Sequence, residues 1–371
     1  MKLHCSPQVA IFIRTLSGGG AERVMVNLAN HWAEKGIKVD LVLVKVGGPY
    51  LDKVSETVNI VDLGCKNTKL LASIPKLVGY LRTYRPKSLL AALHYECEVA
   101  ILARYLAGVK TRIVVSERNT LSVGGPRSRE FSARLTPIAA RITYPFADRI
   151  VAVSDSVAED LSTVTHLPRQ RIQTIYNPHL SLHILEKANE SITHPWLSKD
   201  AQPVILAVGR LVEQKDYPTL LRAFALVKSQ RDVRLIILGS GHLRKQLETL
   251  TKELGIAESV TFIGFVDNPY AYMSRAQMLV LSSAWEGLPN VLIEALTVKI
   301  PIIATACPGG SSEILDHGKY GRLVAVGDFE AMAMAIKSVL DGENFANPVE
   351  WIQRKFSLES VANTYQASLG F

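Results

Sequence analysis

Cysteine and long apolar runs are both scarce in this chain of 371 residues. The four cysteines, Cys5, Cys65, Cys97 and Cys307, are scattered without the spacing of a zinc site. We therefore expect reduced cytosolic thiols, with no disulfide framework and no metal site. No apolar run approaches the roughly 20 residues that span a bilayer, and residues 1–8 lack the apolar core of a signal peptide. The sequence thus predicts a cytoplasmic protein without a transmembrane helix.

Acidic residues are in the minority among the charged side chains. The chain has 34 acidic and 42 basic residues, which gives a formal net charge of +8. This excess suits polyanionic partners such as nucleic acid, anionic lipid or phosphorylated small molecules. Aromatic residues make up only 7%, and no groove-reading helix or base-stacking module is recognisable. A non-enzymatic protein that binds membranes or nucleic acid is therefore the less favoured alternative.

Strands alternate with helices twice along the chain, and the 48% apolar content is enough for two cores. This alternation is typical of doubly wound parallel sheets. The sequence predicts an α/β protein with two Rossmann-like domains that face a cleft. The predicted strands are 8–14, 39–44, 58–63, 88–93, 112–115, 149–153 and 171–176 in the first half, and 203–208, 233–238, 260–263, 278–281, 301–304 and 321–324 in the second.

The predicted domain boundaries follow from a polar stretch in the middle of the chain. Residues 181–202 contain Pro195 and show no clear period, so we expect an interdomain linker there. The first domain would then comprise residues 1–180 and the second 203–348. Residues 349–371 form a predicted helical tail that can return to the first domain.

The most informative stretch follows the predicted strand 278–281. Gly287 lets the backbone approach a ligand, and Pro289 suits the first position of the helix that follows. The first turn of that helix offers free backbone N–H groups to an anion. Glu286 precedes this helix and Glu294 lies inside it. Two such glutamates alone are more often solvated, but a strand-to-helix crevice is where open α/β sheets bind ligands.

Three further loops carry weaker signals. Arg210 and Lys215 share one loop and can hold a diphosphate, although either cation alone would more often be solvated. Gly18 to Gly20 form a loop between a strand and a helix, but Arg23 stands where a dinucleotide-binding pattern needs glycine, which disfavours a dehydrogenase. His94 follows strand 88–93 on the ligand side of the sheet, yet a lone histidine is more often structural.

Four segments together carry a family resemblance: SGGGAERV at 17–24, VGRLVEQKDY at 208–217, SAWEGLPNVLIEAL at 283–296, and CPGGSSEIL followed by YGRLV at 307–324. In these the chain resembles glycosyltransferase family 4, whose members are retaining enzymes with the GT-B fold. The resemblance implies transfer of a hexosyl group from a nucleotide-sugar, UDP-sugar favoured over GDP-sugar, without a metal ion or cofactor. Within the family the chain is most similar to enzymes that build lipid-linked oligosaccharides or surface polysaccharides.

The resemblance also implies roles for individual residues in the second half. Glu294 would bind the ribose hydroxyls and Glu286 the donor sugar, while Arg210 and Lys215 would clamp the diphosphate. The start of the helix would contact sugar and phosphate through Gly287, Leu288, Pro289 and Asn290. Gly239 and Phe265 would lie beside the base. Asp216 departs from the glycine that the family commonly has there, which questions the local shape of the loop.

In the first half, the resemblance places Gly19 and Gly20 near the diphosphate and His94 near the donor sugar. The catalytic set would be Glu286, Arg210, Lys215 and His94. No Asp-x-Asp motif and no obvious protein nucleophile are present, so the resemblance implies a front-face substitution in which the departing phosphate helps to deprotonate the acceptor. A GT-B epimerase or phosphorylase is the enzymatic alternative, distinguished by conversion of nucleotide-sugar without an acceptor.

A lipid-linked acceptor motivates a further expectation about the first half. Residues 68–84 are predicted to form an apolar and basic helix without acidic residues. Such a helix either lies on an anionic membrane or packs its apolar side into the core. Residues 127–141 add four arginines, and Arg118, Arg127 or Arg129 can pair with the diphosphate of a polyprenyl-linked acceptor. We expect a peripheral protein on the inner face of the plasma membrane that binds no nucleic acid.

Overall fold

The computed structural model describes residues 7–66, 70–124, 135–198 and 200–371. The chain forms two compact units. The first comprises the chain up to Pro178 together with Leu358–Phe371, and the second comprises His179–Ser357. Both are built from strands that alternate with helices, as the sequence predicts.

The first unit contains one parallel sheet. Within the described residues its seven strands have the order β3-β2-β1-β4-β5-β6-β7. The elements in chain order are β1 Val9–Ile13, α1 Gly20–Glu34, β2 Val39–Leu43, β3 Asn59–Asp62, α2 Ile74–Tyr84, β4 Ser88–Ala92, α3 His94–Ala107, β5 Arg112–Glu117, α4 Leu121–Gly124, α5 Thr136–Thr143, β6 Arg149–Ala152, α6 Asp155–Thr165 and β7 Ile172–Thr174.

The central strands of this sheet are buried along their whole length. In β1, Val9 pairs with Val39 of β2 on one side and with Ser88 of β4 on the other. Continuous apolar strands of this kind need helices on both faces of a parallel sheet. One face is covered by α1, whose Leu28 and Trp32 are fully buried in the core.

The second unit repeats the architecture with a six-stranded parallel sheet among the described residues, in the order β10-β9-β8-β11-β12-β13. Its elements are α7 Ser181–Ala188, β8 Val204–Val208, α8 Tyr217–Lys228, β9 Arg234–Leu238, α9 Arg244–Glu253, β10 Val260–Gly264, α10 Tyr270–Met273, β11 Met278–Leu281, α11 Asn290–Thr297, β12 Ile302–Thr305, α12 Ser311–Ile314, β13 Arg322–Val324, α13 Phe329–Leu340 and α14 Val349–Phe356. Its core includes Phe224 of α8 and Ile336 of α13, both fully buried.

The structure divides the chain differently from the expected linker and tail. Residues 181–202 include α7, whose Ile184 and Ala188 are buried and whose Ala188 carbonyl accepts a hydrogen bond from Ser274 Oγ at 2.9 Å. This segment therefore belongs to the second unit. The predicted tail is shared between the units: α14 belongs to the second, while α15, Leu358–Leu369, belongs to the first.

Helix α2 packs its apolar side into the core of the first unit. Leu77, Tyr80 and Leu81 are buried. Arg82 donates to the carbonyl oxygens of Leu106 and Ala107, at 2.8 and 3.2 Å. The helix begins at Ile74 rather than at residue 68, and over Ile74–Tyr84 it shows the ordinary packed arrangement of the two expectations, because Leu77, Tyr80 and Leu81 face the core. No helix in the described ranges is both long enough and apolar enough to cross a bilayer.

In each sheet, successive strands are added first on one side of the initial strand and then on its other side, which creates a topological switch point. In the first unit the point lies between β1 and β4, and in the second between β8 and β11. At such a point the loops at the carboxyl ends of the two central strands diverge to opposite faces and leave a crevice. Ligand-binding residues are therefore expected in the loops that follow these strands.

Candidate active site

The loops after β8 and β11 meet through a buried ion pair. Lys215 Nζ lies 2.5 Å from Glu286 Oε1, and their side chains are 14% and 8% exposed. Ser283 Oγ donates to the same carboxylate oxygen at 2.6 Å, and Gln214 Nε2 lies 3.4 Å from the other oxygen. A cation and a carboxylate predicted from separate motifs are thus in direct contact at the switch point of the second sheet.

Glycines hold the loop after β12 against this site. Gly309 has φ +122°, and a side chain there would overlap with the backbone of Glu286. The N–H of Glu286 donates to the carbonyl of Pro308 at 2.8 Å, and the N–H of Gly310 donates to that of Gly287 at 2.7 Å. Only glycine permits this close approach. The loop after β12 therefore fixes the backbone around Glu286.

Helix α11 begins directly after Gly287 to Pro289. Pro289 is the N-cap, so the helix starts at Asn290, one position later than the sequence predicted. The start of a helix presents backbone N–H groups and the positive end of the helix dipole, which is the end that binds anions. Glu294 lies inside the helix and is only 5% exposed. Glu286 and Glu294 therefore occupy the places expected for them, one before the helix and one within it.

Asp216 shows how this chain tolerates its departure from the family pattern. Its φ of +42° and ψ of +49° lie in the left-handed region, which glycine adopts most easily. Its carboxylate accepts a hydrogen bond from Thr219 Oγ1 at 2.6 Å. Aspartate is among the non-glycine residues that enter this region. The loop that carries Lys215 therefore keeps a glycine-like turn without glycine.

The remaining residues predicted in the second unit lie at the same edge of the sheet or near it. Arg210 is exposed on the loop after β8. Gly239 has φ +135°, and a side chain there would overlap with the carbonyl of Gly209. The Gly239 N–H donates to the carbonyl of Gly264 at 2.7 Å, next to Phe265, which is 58% exposed. Phe265 thus offers an accessible ring beyond the end of β10.

The carboxylate of Glu286 also affects neighbouring groups. Burial, and then the negative charge of Glu286, raises the pKa of the Cys307 thiol to about 11. The same two causes raise the pKa of Tyr217. Both side chains are therefore protonated at neutral pH. The sequence did not point to Cys307, Gln214 or Ser283 as neighbours of Glu286, although all three lie inside the quoted motifs.

In the first unit, the predicted loop and histidine lie at the switch point between β1 and β4. Gly19 is the N-cap of α1 and Gly20 its first residue. His94 is the first residue of α3. Burial, and then the charge of Arg14, lowers the pKa of His94 to about 4, so the imidazole is neutral at pH 7. Among the described residues, His94 Nε2 is buried without a hydrogen-bond partner.

Two charged neighbours accompany His94. Arg14 Nε lies 3.4 Å from Glu96 Oε1, and the Arg14 side chain is 40% exposed whereas that of Glu96 is 1% exposed. Burial raises the pKa of Glu96 to about 7, and Arg14 opposes that shift. Neither residue was predicted from the sequence. A half-exposed guanidinium therefore stands beside the neutral histidine.

Of the arginines expected to meet the acceptor, only Arg118 lies within the described residues. It is buried, and its guanidinium donates to Ser116 Oγ at 3.3 Å and to Asn177 Oδ1. Arg118 is therefore engaged inside the first unit. Arg127 and Arg129, like Lys69 of the expected membrane helix, lie outside the described residues. Nor do three or more histidine, cysteine, aspartate or glutamate side chains of the described residues come together as they would around a metal ion.

Both units match known protein families. Residues 18–179 match the model described as Glycosyltransferase Family 4, and residues 189–355 match the model described as Glycosyl transferases group 1. The segments that carry the sequence resemblance fall almost entirely inside these two ranges. The matches therefore agree with the order of motifs along the chain.

Full-length relatives extend the agreement. The N-acetylgalactosamine-N,N'-diacetylbacillosaminyl-diphospho-undecaprenol 4-alpha-N-acetylgalactosaminyltransferase of Campylobacter jejuni is 32% identical over 91% of each chain. The lipopolysaccharide core biosynthesis glycosyltransferase LpsE of Rhizobium meliloti is 26% identical over 94% of each chain. The structure of Anabaena HepE in complex with UDP and glucose superposes with a TM-score of 0.80 at 17% identity, over 98% of this chain and 99% of that one. The chain therefore belongs to glycosyltransferase family 4, and its two Rossmann-like units are those of the GT-B fold.

Proposed function

We propose that this glycosyltransferase moves a hexosyl group from a UDP-sugar to a glycan carried on a polyprenyl diphosphate, with retention of the anomeric configuration and without a metal ion. The name of the Campylobacter relative specifies an undecaprenol-linked acceptor and α transfer, and HepE was solved with UDP and glucose. Both support the proposed substrates. The enzyme would act peripherally on the inner face of the plasma membrane, where such an acceptor is assembled.

The contact between Lys215 and Glu286 carries this proposal. Lys215 and Arg210 come from one loop and would hold the departing diphosphate, whose negative charge grows as the glycosidic bond breaks. Backbone N–H groups at the start of α11 would bind phosphate or sugar oxygens. Glu286, adjacent to Lys215, would then lie beside the sugar and accept hydrogen bonds from its hydroxyls. Glu294, further along α11, would accept those of the ribose.

The proposed transfer step needs no protein nucleophile. The bond between the anomeric carbon and the diphosphate oxygen breaks, and the acceptor hydroxyl forms the new bond on the same face of the sugar. The hydroxyl proton passes to the departing phosphate oxygen, so that the products are the glycoside and UDP. In this scheme the neutral His94 would contact the sugar, and Gly19 and Gly20 would let the acceptor or diphosphate approach α1.

Binding of UDP to a Glu294→Gln variant tests the donor assignment. A ribose hydroxyl bound to a carboxylate contributes roughly 1–3 kcal/mol, so UDP should bind about tenfold or more weakly to the variant in calorimetry. 2′-Deoxy-UDP lacks one of the hydroxyls, and the variant should lose less affinity for it than for UDP. Glu253→Gln, at an exposed position in the last turn of helix α9, is the matched control. If the Glu294→Gln variant bound UDP as tightly as the wild type, the assignment of Glu294 to the ribose would be wrong.

Two further assays separate this proposal from its alternatives. Incubation of UDP-sugars without any acceptor should leave them unchanged, whereas an epimerase would convert them. Transfer to a polyprenyl-diphosphate-linked glycan should survive EDTA, because cationic side chains and a helix N-terminus take the place of a metal ion. Inhibition by EDTA that added metal reverses would overturn the metal-free part of the proposal.

A further inference from the structure

An apolar surface remains exposed on the first unit, away from the loops at its switch point. It is formed by the C-terminal half of α3, by α5 and by the turn that follows α5. These elements pack against one another, and Arg104 Nη2 of α3 donates to the carbonyl of Phe146 in the turn at 2.9 Å. The large apolar side chains of this surface, between 42% and 79% exposed, are Leu102, Tyr105, Leu106, Leu135, Ile138, Ile142 and Phe146.

The residues of α5 and of its two flanks follow two opposite stripes. Thr136, Ala140 and Tyr144 recur every fourth residue and are buried against the unit. Leu135, Ile138, Ile142 and Phe146 recur every three or four residues on the other side and are exposed. A surface helix normally carries polar residues on its outer face. An outward apolar stripe of this size instead marks a docking surface.

The charged residues within the two segments that form this surface are all basic. Residues 99–111 and 135–147 contain Arg104, Lys110 and Arg141 but no aspartate or glutamate. Lys110 and Arg141 are exposed. Asp148 follows the second segment, and its carboxylate is paired with Arg104 at 3.4 Å. A symmetric dimer through this surface would bring like charges together, whereas an anionic bilayer would meet them with phosphate groups.

We propose that this apolar and basic surface docks on an anionic lipid bilayer. The exposed side chains of α3, α5 and the turn would enter the boundary between headgroups and acyl chains, and Arg141 and Lys110 would contact lipid phosphates. The inference rests on the proposed function, since a polyprenyl-linked acceptor lies in such a bilayer. The docking surface would thus lie on α3, α5 and the turn, and not on α2, whose apolar side is buried.

Sedimentation with vesicles tests the proposal on the full chain. The protein should pellet with vesicles of phosphatidylglycerol and phosphatidylcholine at low salt, and much less with phosphatidylcholine alone or at high salt. The triple variant Ile138→Ser, Ile142→Ser and Phe146→Ser should lower the partition coefficient by at least about tenfold. The matched control is Leu182→Ser with Met334→Ser, two exposed apolar residues of the second unit, and it should pellet like the wild type.

Three results would overturn the proposal: equal pelleting of the triple variant and the wild type, pelleting that ignores lipid charge, or a wild-type dimer without vesicles that the triple variant loses. UDP affinity provides the independent readout. It should be the same in the wild type, the triple variant and the control. An unchanged unfolding transition of the first unit in calorimetry shows that the triple variant is folded. Loss of vesicle binding by the triple variant supports docking through this surface, and this result does not depend on the identity of the donor sugar. Failure of the wild type to bind UDP would contradict the proposed function but not the docking surface.

Discussion

A single carboxylate, that of Glu286, connects the loops at the switch point of the second sheet. It accepts from Lys215 at 2.5 Å and from Ser283 at 2.6 Å, and it is almost completely buried. A buried carboxylate needs such partners, because desolvation of an unpaired charge is costly. The same ammonium is the one proposed to hold the diphosphate. If Lys215 holds the diphosphate as proposed, Glu286 and the nucleotide compete for it.

This competition predicts the behaviour of a Glu286→Gln variant. Because the ammonium of Lys215 is released from its ion pair, UDP affinity should stay equal to that of the wild type or rise. Turnover should fall by about tenfold or more, because a charged contact to the donor sugar is lost. Titration calorimetry with UDP and a transfer assay measure the two quantities separately. Weaker UDP binding in this variant would contradict the competition.

The reciprocal variant provides the control for stability. Lys215→Met should destabilise the protein by about 3 kcal/mol, because the buried carboxylate loses its cation. In the double variant Lys215→Met and Glu286→Gln, most of that loss should be recovered, since no unpaired charge remains. Urea unfolding of the two single variants and the double variant measures this. Additive losses would show that the pair is not coupled.

His94 predicts a dependence of stability on pH. Its pKa is about 4 in the folded protein, below the ordinary value of 6.5. The unfolded chain therefore binds the proton more readily, and the stability present above pH 6.5 is lost as the pH falls toward 4. Relative to His94→Gln, the wild type should lose about 2 kcal/mol of unfolding free energy between pH 7.5 and pH 5.

Urea unfolding of both proteins at the two pH values measures this difference. The buried carboxyls of Glu96, Glu98 and Glu117, whose pKa values burial raises to about 7, are present in both proteins. Their titration therefore largely cancels in the comparison. A constant difference between wild type and variant across this range would mean that the folded protein does not hold His94 neutral.

Helices and strands were predictable where their signal is local. Strands such as Val9–Ile13 and Met278–Leu281 are short apolar runs between loops, and the structure has them within a residue or two of the predicted bounds. Helix α7 was missed, because its two buried residues form too weak a period among polar neighbours. Its burial depends on α10 and α11, which lie far away in the sequence. Packing partners of this kind leave no local pattern.

The same limit applies to the outward faces of helices. Large apolar residues recur at helical spacing in both α2 and α5, yet Leu77 and Leu81 of α2 are buried, whereas Ile138 and Ile142 of α5 are exposed. Which face meets the core depends on neighbouring elements. At the candidate site, the sequence predicted the loops of Lys215 and Glu286, because strand order places them at one edge of the sheet. It did not predict that the two side chains would touch.

At the scale of the whole molecule, the chain forms the first unit from both of its ends. Helix α15 completes the core of that unit, where Tyr365 is 1% exposed and its hydroxyl lies 3.1 Å from Ser116 Oγ. Phe371 packs against Trp32 of α1 with ring centroids 6.0 Å apart. The second unit has a separate core around Phe224. A destabilising substitution in one core should therefore lower the unfolding temperature of that unit first.

A Tyr365→Ala variant tests whether the units unfold separately. Loss of a large buried aromatic side chain costs about 3–5 kcal/mol, which should lower the unfolding temperature of the first unit by roughly 10 °C. In calorimetry, UDP should raise only the transition of the second unit, because ligand binding stabilises the folded form that binds it. The unfolding transition whose temperature UDP does not change should be the one whose temperature Tyr365→Ala lowers. Phe224→Ala, in the core of the second unit, should lower the UDP-responsive transition instead. A single transition that both variants lower together would show that the two cores unfold as one.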